Sequence, residues 1–364
     1  MSSCALRRLL FRSNYLISPM RRLSDLVGGY RIDGTLKSAK TLRATLAQHV
    51  AALNSREPPV SVADAKTLEP RTMSVSHDRV VIPLETDPEL RLQYINWMGY
   101  VRFGMILEDL DTFAVWLSYK HNQGDSNMGR PDHHPMGIVT ACVDRIDLHH
   151  VKILPDSDII MEGHVSWVGR SSIEATMKLL QKQDGSEWRQ LLTAKFVMVS
   201  RNPHGPGVIA NHPLKCETEQ ESQIFREGQE ASARRKQKDQ ESLLKTPPTE
   251  SERIALHDIF RITVDENAHT FRHRILPDKH VWMEDSKLKT VIICFPAQRN
   301  LYNKIFGGFL MRQAFELAWA NCALFSKSRP MLLAVDDIMF RKSVEVGSLL
   351  FLSSQVRLLS LPRG

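Results

Sequence analysis

Apolar and polar positions alternate between two periods along this chain. Arg79-Val80-Val81-Ile82-Pro83-Leu84 is a short apolar run closed by Pro83 and a Glu-Thr-Asp-Pro cluster at 85–88, the pattern of a strand ending in a turn. The period then lengthens. Ile106, Leu107, Leu110, Phe113, Ala114 and Leu117 recur as one buried helical face, which predicts a helix opened by Phe103-Gly104. A polar loop over 122–137 follows, rich in Gly, Asn, Asp and His. Strand patterns come next at 138–146, 159–168, 173–180 and 191–199, before the breaker Asn202-Pro203-His204-Gly205-Pro206.

The same order then returns: a strand at 288–295, a turn, a helix from Phe309 to about Phe325, and strands at 331–340 and 348–359. Phe103-Gly104 is answered by Phe306-Gly307-Gly308, and Val143-Asp144-Arg145-Ile146 by Val335-Asp336-Asp337-Ile338. The run Asp158-Ile159-Ile160-Met161 is answered by Ser348-Leu349-Leu350-Phe351, and these last two pairs of segments lie about 190 residues apart. Repetition at a domain-sized interval indicates a tandem duplication, since solenoid repeats are only ~20–50 residues long. One long helix followed by consecutive antiparallel strands is an α+β layout. The second helix is apolar nearly all round (Phe315, Leu317, Ala318, Trp319), which predicts that it is buried. The expected organisation is an N-terminal extension at 25–73 of no assigned role, a first repeat at 74–205, a linker at 206–270 and a second repeat at 271–364. Within the linker, Glu217 to Lys245 is dense in charge and reads as at best a solvated helix.

Composition changes this picture at one end. The chain has 364 residues and a net charge of +7, but Arg7, Arg8, Arg12, Arg21 and Arg22 all precede the first acidic residue, Asp25. An Arg- and Ser-rich start without acids predicts a mitochondrial presequence over 1–24. No aromatic-interleaved basic groove follows, so nucleic acid is not an expected partner. No apolar run approaches the ~20 residues of a membrane span. The five cysteines are scattered, without a C-x-x-C pair, which argues against a disulfide framework or zinc site. His133-His134 and His149-His150 are adjacent pairs, which on a strand face opposite ways and make poor joint ligands. There is no G-x-S-x-G elbow and no G-x-G-x-x-G or Walker loop. No metal or redox cofactor is implied.

Two glycines ahead of a helix let an oxygen approach the backbone closely. The first helical amides are unsatisfied and carry the positive end of the dipole, so they suit a developing oxyanion. Gly307-Gly308 are placed this way, although a tight turn alone would also use them.

The order strand, Asn303-Lys304-Ile305-Phe306-Gly307-Gly308, helix, Val-Asp-x-Ile strand and Val344-Glu345-Val346-Gly347 resembles the hotdog fold of acyl-CoA thioesterases. The stretch from Val165 to Ser172 is similar to that family's strand-bend-strand element. The resemblance implies a tandem double hotdog, each an antiparallel sheet wrapped around a long central helix. It implies hydrolysis of acyl-CoA to fatty acid and coenzyme A, in mitochondria given the presequence, by a protein that assembles into homo-oligomers. It also implies a carboxylate about two turns into the central helix, acting across the repeat interface with an Asn beside the partner glycine turn. The seventh residue after Gly104 is Asp111, whereas the seventh after Gly308 is Phe315, with Glu316 one step later. One step turns a helix by about 100°. The expected site is therefore composite: Asp111 from the first copy, with Asn303 and the Gly307 and Gly308 amides from the second, the mirror-related site having decayed. Glu316 stands between a catalytic role and a surface pairing with Arg312. Arg102, Arg170, Arg341 and Lys342 are candidates for the coenzyme A phosphates.

Counted against the first copy, the second has used its third strand by Val356, and 357–364 cannot supply two more. The expectation is an incomplete second repeat, with an uncovered sheet edge beside a half-wrapped helix. An acyl-CoA-binding or scaffold form without turnover is the alternative that this leaves open.

Overall fold

The structure, a computed structural model, describes residues 37–357 apart from 55–67, 125–135, 150–151, 184–186 and positions 204, 206, 269, 271 and 301. The expected presequence at 1–24, His133, His134, His150 and residues 358–364 lie outside the described residues. The elements in chain order are β1 (Lys37–Ser38), α1 (Ala39–Asn54), β2 (Arg71–Thr72), α2 (Met73–Ser76), β3 (Asp78–Ile82), α3 (Pro88–Tyr94), α4 (Phe103–Gln123), β4 (Gly137–Leu148), β5 (Ile159–Val168), β6 (Ser172–Gln183) and β7 (Glu187–Arg201). There follow β8 (Leu214–Lys215), α5 (Glu219–Gln240), α6 (Glu250–Thr263), β9 (Lys287–Ile293), α7 (Gly307–Ser326), β10 (Ala334–Met339) and β11 (Leu349–Gln355).

The architecture is α+β. Seven strands form one sheet in the order β1-β3-β5-β6-β7-β4-β10, and β9 pairs with β11 in a separate ribbon. The sheet curls around α4, whose Ile106, Leu110, Phe113, Trp116 and Leu117 are essentially inaccessible. Residues beyond the periodic stripe are buried as well, including Asp109, Asp111, Ser118 and His121, so α4 is wrapped on all sides. Pairing of β10 with β4, with Val335 opposite Ile146 and Ile338 opposite Val143, carries the sheet from one repeat into the other. The two Val-Asp segments, at 143–144 and 335–336, thus lie on strands paired with each other.

The expectation that α7 would be buried is corrected. Its N-terminal residues Gly308 to Met311 are buried, but most of its length is only half-covered. The reason is the narrowness of the ribbon beside it. In the first repeat β6 and β7 lie between β5 and β4; in the second, β11 and β10 have no described strands between them. Leu350 and Leu352 face α7, while Leu349 and Phe351 remain 58% and 67% exposed on the other side.

Two segments are more structured than their sequences suggest. In the extension, β1 pairs in parallel with β3, and Leu42 and Leu46 of α1, one turn apart, bury against α4. In the linker, α5 is capped by Thr218 and packs on the outside of the sheet rather than standing in solvent. Gly228 lies so close to Trp167 that an added Cβ would sit 2.4 Å from the Trp167 Cβ. Arg235 reaches Asp144 at 3.2 Å and the buried Glu174 at 3.4 Å. The signal missed was one of small residues: Gly228 and Ala231 make a narrow contact strip in an otherwise charged helix.

Candidate active site

Asp111 sits two turns into α4 on the side that meets the second repeat, where α4 and α7 pack together. Its carboxylate is fully buried and held from two directions. The Thr140 hydroxyl of β4 donates to Oδ1 at 2.5 Å, and the Gly308 N–H donates to Oδ2 at 2.7 Å. Gly308 lies in the first turn of α7, whose early amides have no intrahelical acceptor. The close approach needs both glycines. A Cβ on Gly307 would lie 3.1 Å from Asp111 Oδ2, and one on Gly308 would lie 2.8 Å from the Glu108 Cα. Gly307 N–H, at the head of the same helix, has no acceptor among the described residues.

Burial pushes the Asp111 carboxyl up to about 7, because a charge removed from water is disfavoured. The hydrogen bonds from Thr140 and Gly308 favour the ionised form and oppose this shift, whereas nearby Glu108 adds to it. Glu108 is itself paired with Arg312 of α7 at 2.6 Å. The neighbouring acid, Asp109, turns the other way and is taken up by Arg43 of α1 at 2.6 Å and by the Tyr94 hydroxyl. The Glu108-Asp109-x-Asp111 cluster therefore divides into three environments.

Asp111 opens onto a cavity of about 1050 Å³ between the repeats. Glu108, Asp111, Thr112 and Val115 form its α4 wall, and Thr140 and Gly307 line it beside Asp111. Arg201, Arg299, Lys304, Arg341 and Lys342 also line it and give it a basic rim. Lys304 is paired with Glu345 at 2.6 Å, and Arg341 approaches Asp239 at 4.0 Å.

Of the residues singled out from sequence, Asp111, Gly307, Gly308, Arg341 and Lys342 come together here. Asn303 does not: it is exposed, adopts a left-handed φ of 57°, and closes a turn through its N–H to the Asn300 carbonyl. That conformation suits asparagine for reasons of turn geometry. Asn300 lines the cavity instead, its Oδ1 held by the N–H groups of Tyr302 and Lys304 at 2.9 and 3.0 Å. Glu316 also lies off the cavity wall. It pairs with Arg102 at 2.8 Å, so neither its expected catalytic role nor its i,i+4 pairing with Arg312 describes it. Both residues lie at the first repeat's glycine turn, where Gly104 is packed against the Arg312 side chain. The mirror-related position is thus occupied by protein. Arg170 is exposed between β5 and β6, away from the cavity.

Thr140, Asn300, Tyr302, Arg43, Arg201 and Arg299 were not singled out from sequence. Asn300 carried a detectable signal, being a second asparagine in the same pre-glycine loop; the others became visible only through tertiary packing.

No family model matches the chain. Among curated proteins it is 48% identical over 291 residues to mouse acyl-coenzyme A thioesterase 9, mitochondrial, covering 80% of this chain and 65% of that protein's length. It is 43% identical over 338 residues to mouse acyl-coenzyme A thioesterase 10, mitochondrial, covering 92% of this chain and 76% of that one. A chloroplastic acyl-coenzyme A thioesterase 2 from Humulus lupulus is 36% identical over 306 residues, 82% of this chain and 67% of the plant protein. An acyl-CoA hydrolase from Bacillus cereus is a solved structure with a TM-score of 0.39 at 19% identity, over 52% of this chain and 98% of that one. The protein is thus of the acyl-CoA thioesterase class. Within that class, the chain belongs to the mitochondrial acyl-coenzyme A thioesterase 9/10 family.

Proposed function

We propose that the chain hydrolyses acyl-CoA thioesters to a fatty acid and coenzyme A, as a tandem double hotdog with one composite site. The observation that carries this reading is the buried Asp111 carboxylate facing the N-terminal amides of α7 across the repeat interface. In its ionised form Asp111 accepts a proton from water as the water oxygen attacks the thioester carbonyl. The carbonyl oxygen takes up the resulting negative charge. It is met by the Gly307 N–H and the positive end of α7, the type of contact typically worth about 3–4 kcal/mol per donor. Collapse re-forms the carbonyl and breaks the carbon–sulfur bond, and the departing thiolate takes the proton held by Asp111. Asn300 lines the cavity with its Oδ1 occupied by backbone, so its amide nitrogen is the group it would offer to orient the carbonyl or water. Arg201, Arg299, Arg341 and Lys342 suit the coenzyme A phosphates. The reaction requires no metal or redox cofactor.

The Arg-rich start and the mitochondrial relatives support a mitochondrial location. The exposed apolar face of the ribbon, with Val291, Ile293, Leu349 and Phe351, supports assembly into homo-oligomers. The half-covered stretch of α7 after Met311 favours a second reading, acyl-CoA binding without turnover, because the helix that carries Gly307 is held mainly at its first turn. A thiol-release assay over an acyl-CoA series separates the two. Release that depends on Asp111 supports the hydrolase, and binding without release supports the second reading.

A further inference from the structure

Two charged residues at matching positions of the repeats meet between the central helices. Glu108 is the fourth residue after Gly104, and Arg312 is the fourth after Gly308. Their side chains pair at 2.6 Å and are only 13% and 21% exposed. Positions that face their own counterparts lie on the axis relating two copies, where an exact repeat would set like against like. Here the acid is on α4 and the base on α7, so the charge pattern is one-sided. The acid stands three residues before Asp111, a spacing that makes two helical side chains neighbours. The base is given room by the first repeat's glycine, where an added Cβ would sit 2.6 Å from the Arg312 Cγ. On the other flank the Glu108 Cα lies against Gly308, whose N–H holds Asp111. Glu108, Arg312, Gly308 and Asp111 are therefore one contiguous cluster, and both members of the ion pair line the cavity.

We propose that Arg312 is a positioning residue for thioester hydrolysis: by holding Glu108 across the repeat interface it balances the acid next to Asp111 and fixes α4 against the Gly308 amide. The inference rests on the hydrolase reading of Asp111. A carboxylate one turn away disfavours the ionised Asp111 that accepts the proton, and a cation held on that carboxylate offsets it. Glu108 is the acid whose charge bears on Asp111. The other charged groups around the site are differently engaged. On α4, Asp109 turns to Arg43 of α1 and to the Tyr94 hydroxyl of α3. In the loop before α7, Lys304 is paired with Glu345, and the Tyr302 hydroxyl meets that of Tyr119. From β4 comes the neutral Thr140. Arg201 of β7 and the loop residues Arg299, Arg341 and Lys342 line the same cavity. Arg312 differs from all of these in reaching the acid that shares Asp111's helix face.

The test uses the full chain and follows the thiol-release kcat from about pH 5 to about pH 9, with urea unfolding over the same range in each background with and without Asp111→Asn. The second measurement gives the Asp111 midpoint without turnover. Arg312→Gln leaves Glu108 unbalanced and should move both midpoints up by about one unit. Its kcat at about pH 6.5 should then fall about five- to tenfold, while the loss at about pH 9 stays within about threefold. Glu108→Gln should move the midpoints down by about half a unit. Arg312→Lys keeps the charge, and the Glu108→Gln/Arg312→Gln double variant leaves neither charge unpaired; each should keep the midpoints close to wild type. Glu108→Gln and the double variant decide the matter if Arg312→Gln alone does not fold. Affinity for S-alkyl-CoA thioethers, which bind but cannot be hydrolysed, should stay close to wild type throughout. A midpoint unmoved in either single variant overturns the proposal, as does an Arg312→Gln loss of equal size at every pH or one confined to thioether binding. Midpoints that shift as stated in urea, with no thiol release from any variant, would retain the pair's effect on Asp111 and refute the hydrolytic reading.

Discussion

The Gly308 amide of the second repeat donates to the Asp111 carboxylate of the first at 2.7 Å, across 197 residues of chain. This contact joins the head of one central helix to the flank of the other, and it makes the two glycines unequal. Gly308 is packed against the α4 backbone, whereas Gly307 faces the carboxylate and the cavity.

Gly308→Ala therefore acts on structure. The added methyl meets the Phe306 ring and the Glu108 Cα, and overpacking of this kind costs about 1–3 kcal/mol. Thermal denaturation should show a marked loss of stability. Gly307→Ala should unfold at nearly the wild-type temperature yet lose roughly 100-fold in kcat, because its methyl displaces the reacting groups.

The elevated Asp111 pKa predicts a rate that climbs with pH and flattens above about 7, as the carboxylate becomes available to accept a proton. Stability runs the other way. Burial raises the folded-state pKa from the ordinary 3.8 to about 7, so between these values the native state holds the proton that the unfolded state has lost. Asp111's contribution therefore declines as pH rises from about 4 to about 7. Urea titrations at pH 5 and pH 8 check this: Asp111→Asn, which keeps the shape without the charge, should narrow the difference between them.

At the mirror-related position, Arg102 and Glu316 hold each other rather than a substrate. Glu316→Gln and Arg102→Ala should each leave kcat/KM within about threefold of wild type, since a partly exposed ion pair contributes about 1 kcal/mol or less. A large loss in either would show that the second position takes part in turnover.

Arg235 compensates the fully buried Glu174 carboxylate and joins α5 to the sheet. Arg235→Ala leaves that charge unpaired, which should cost on the order of 3–5 kcal/mol in urea unfolding. Glu174→Gln in the same background should recover much of the loss. If α5 were merely a solvated tether, Arg235→Ala would be neutral.

The helices α4 and α7 and the strands that flank them were legible because burial on one face imposes a period on the sequence. Asp111 was legible from its position relative to the glycine turn. Asn303 was misplaced by the same reasoning. Loop residues Asn300 and Asn303 differ in φ and in what holds their side chains, and neither difference leaves a trace in residue spacing. The extent of α7 burial was overread from its composition, since an apolar helix is covered only as far as strands lie against it. The docking of α1 and α5 depended on partners far away in the chain, Asp109 and Tyr119 for one, Trp167 and Glu174 for the other.

Asp111→Asn tests the account most directly, with thiol release and thioether binding measured on the same preparation at pH 8. The Asn carbonyl can still accept from Gly308, and the Thr140 hydroxyl can turn to accept from its amide, so the variant should bind thioethers within about threefold of wild type. Loss of general-base action should lower the thiol-release kcat by about 10²–10⁴. A variant that releases thiol at near the wild-type rate would contradict a hydrolytic centre built on Asp111.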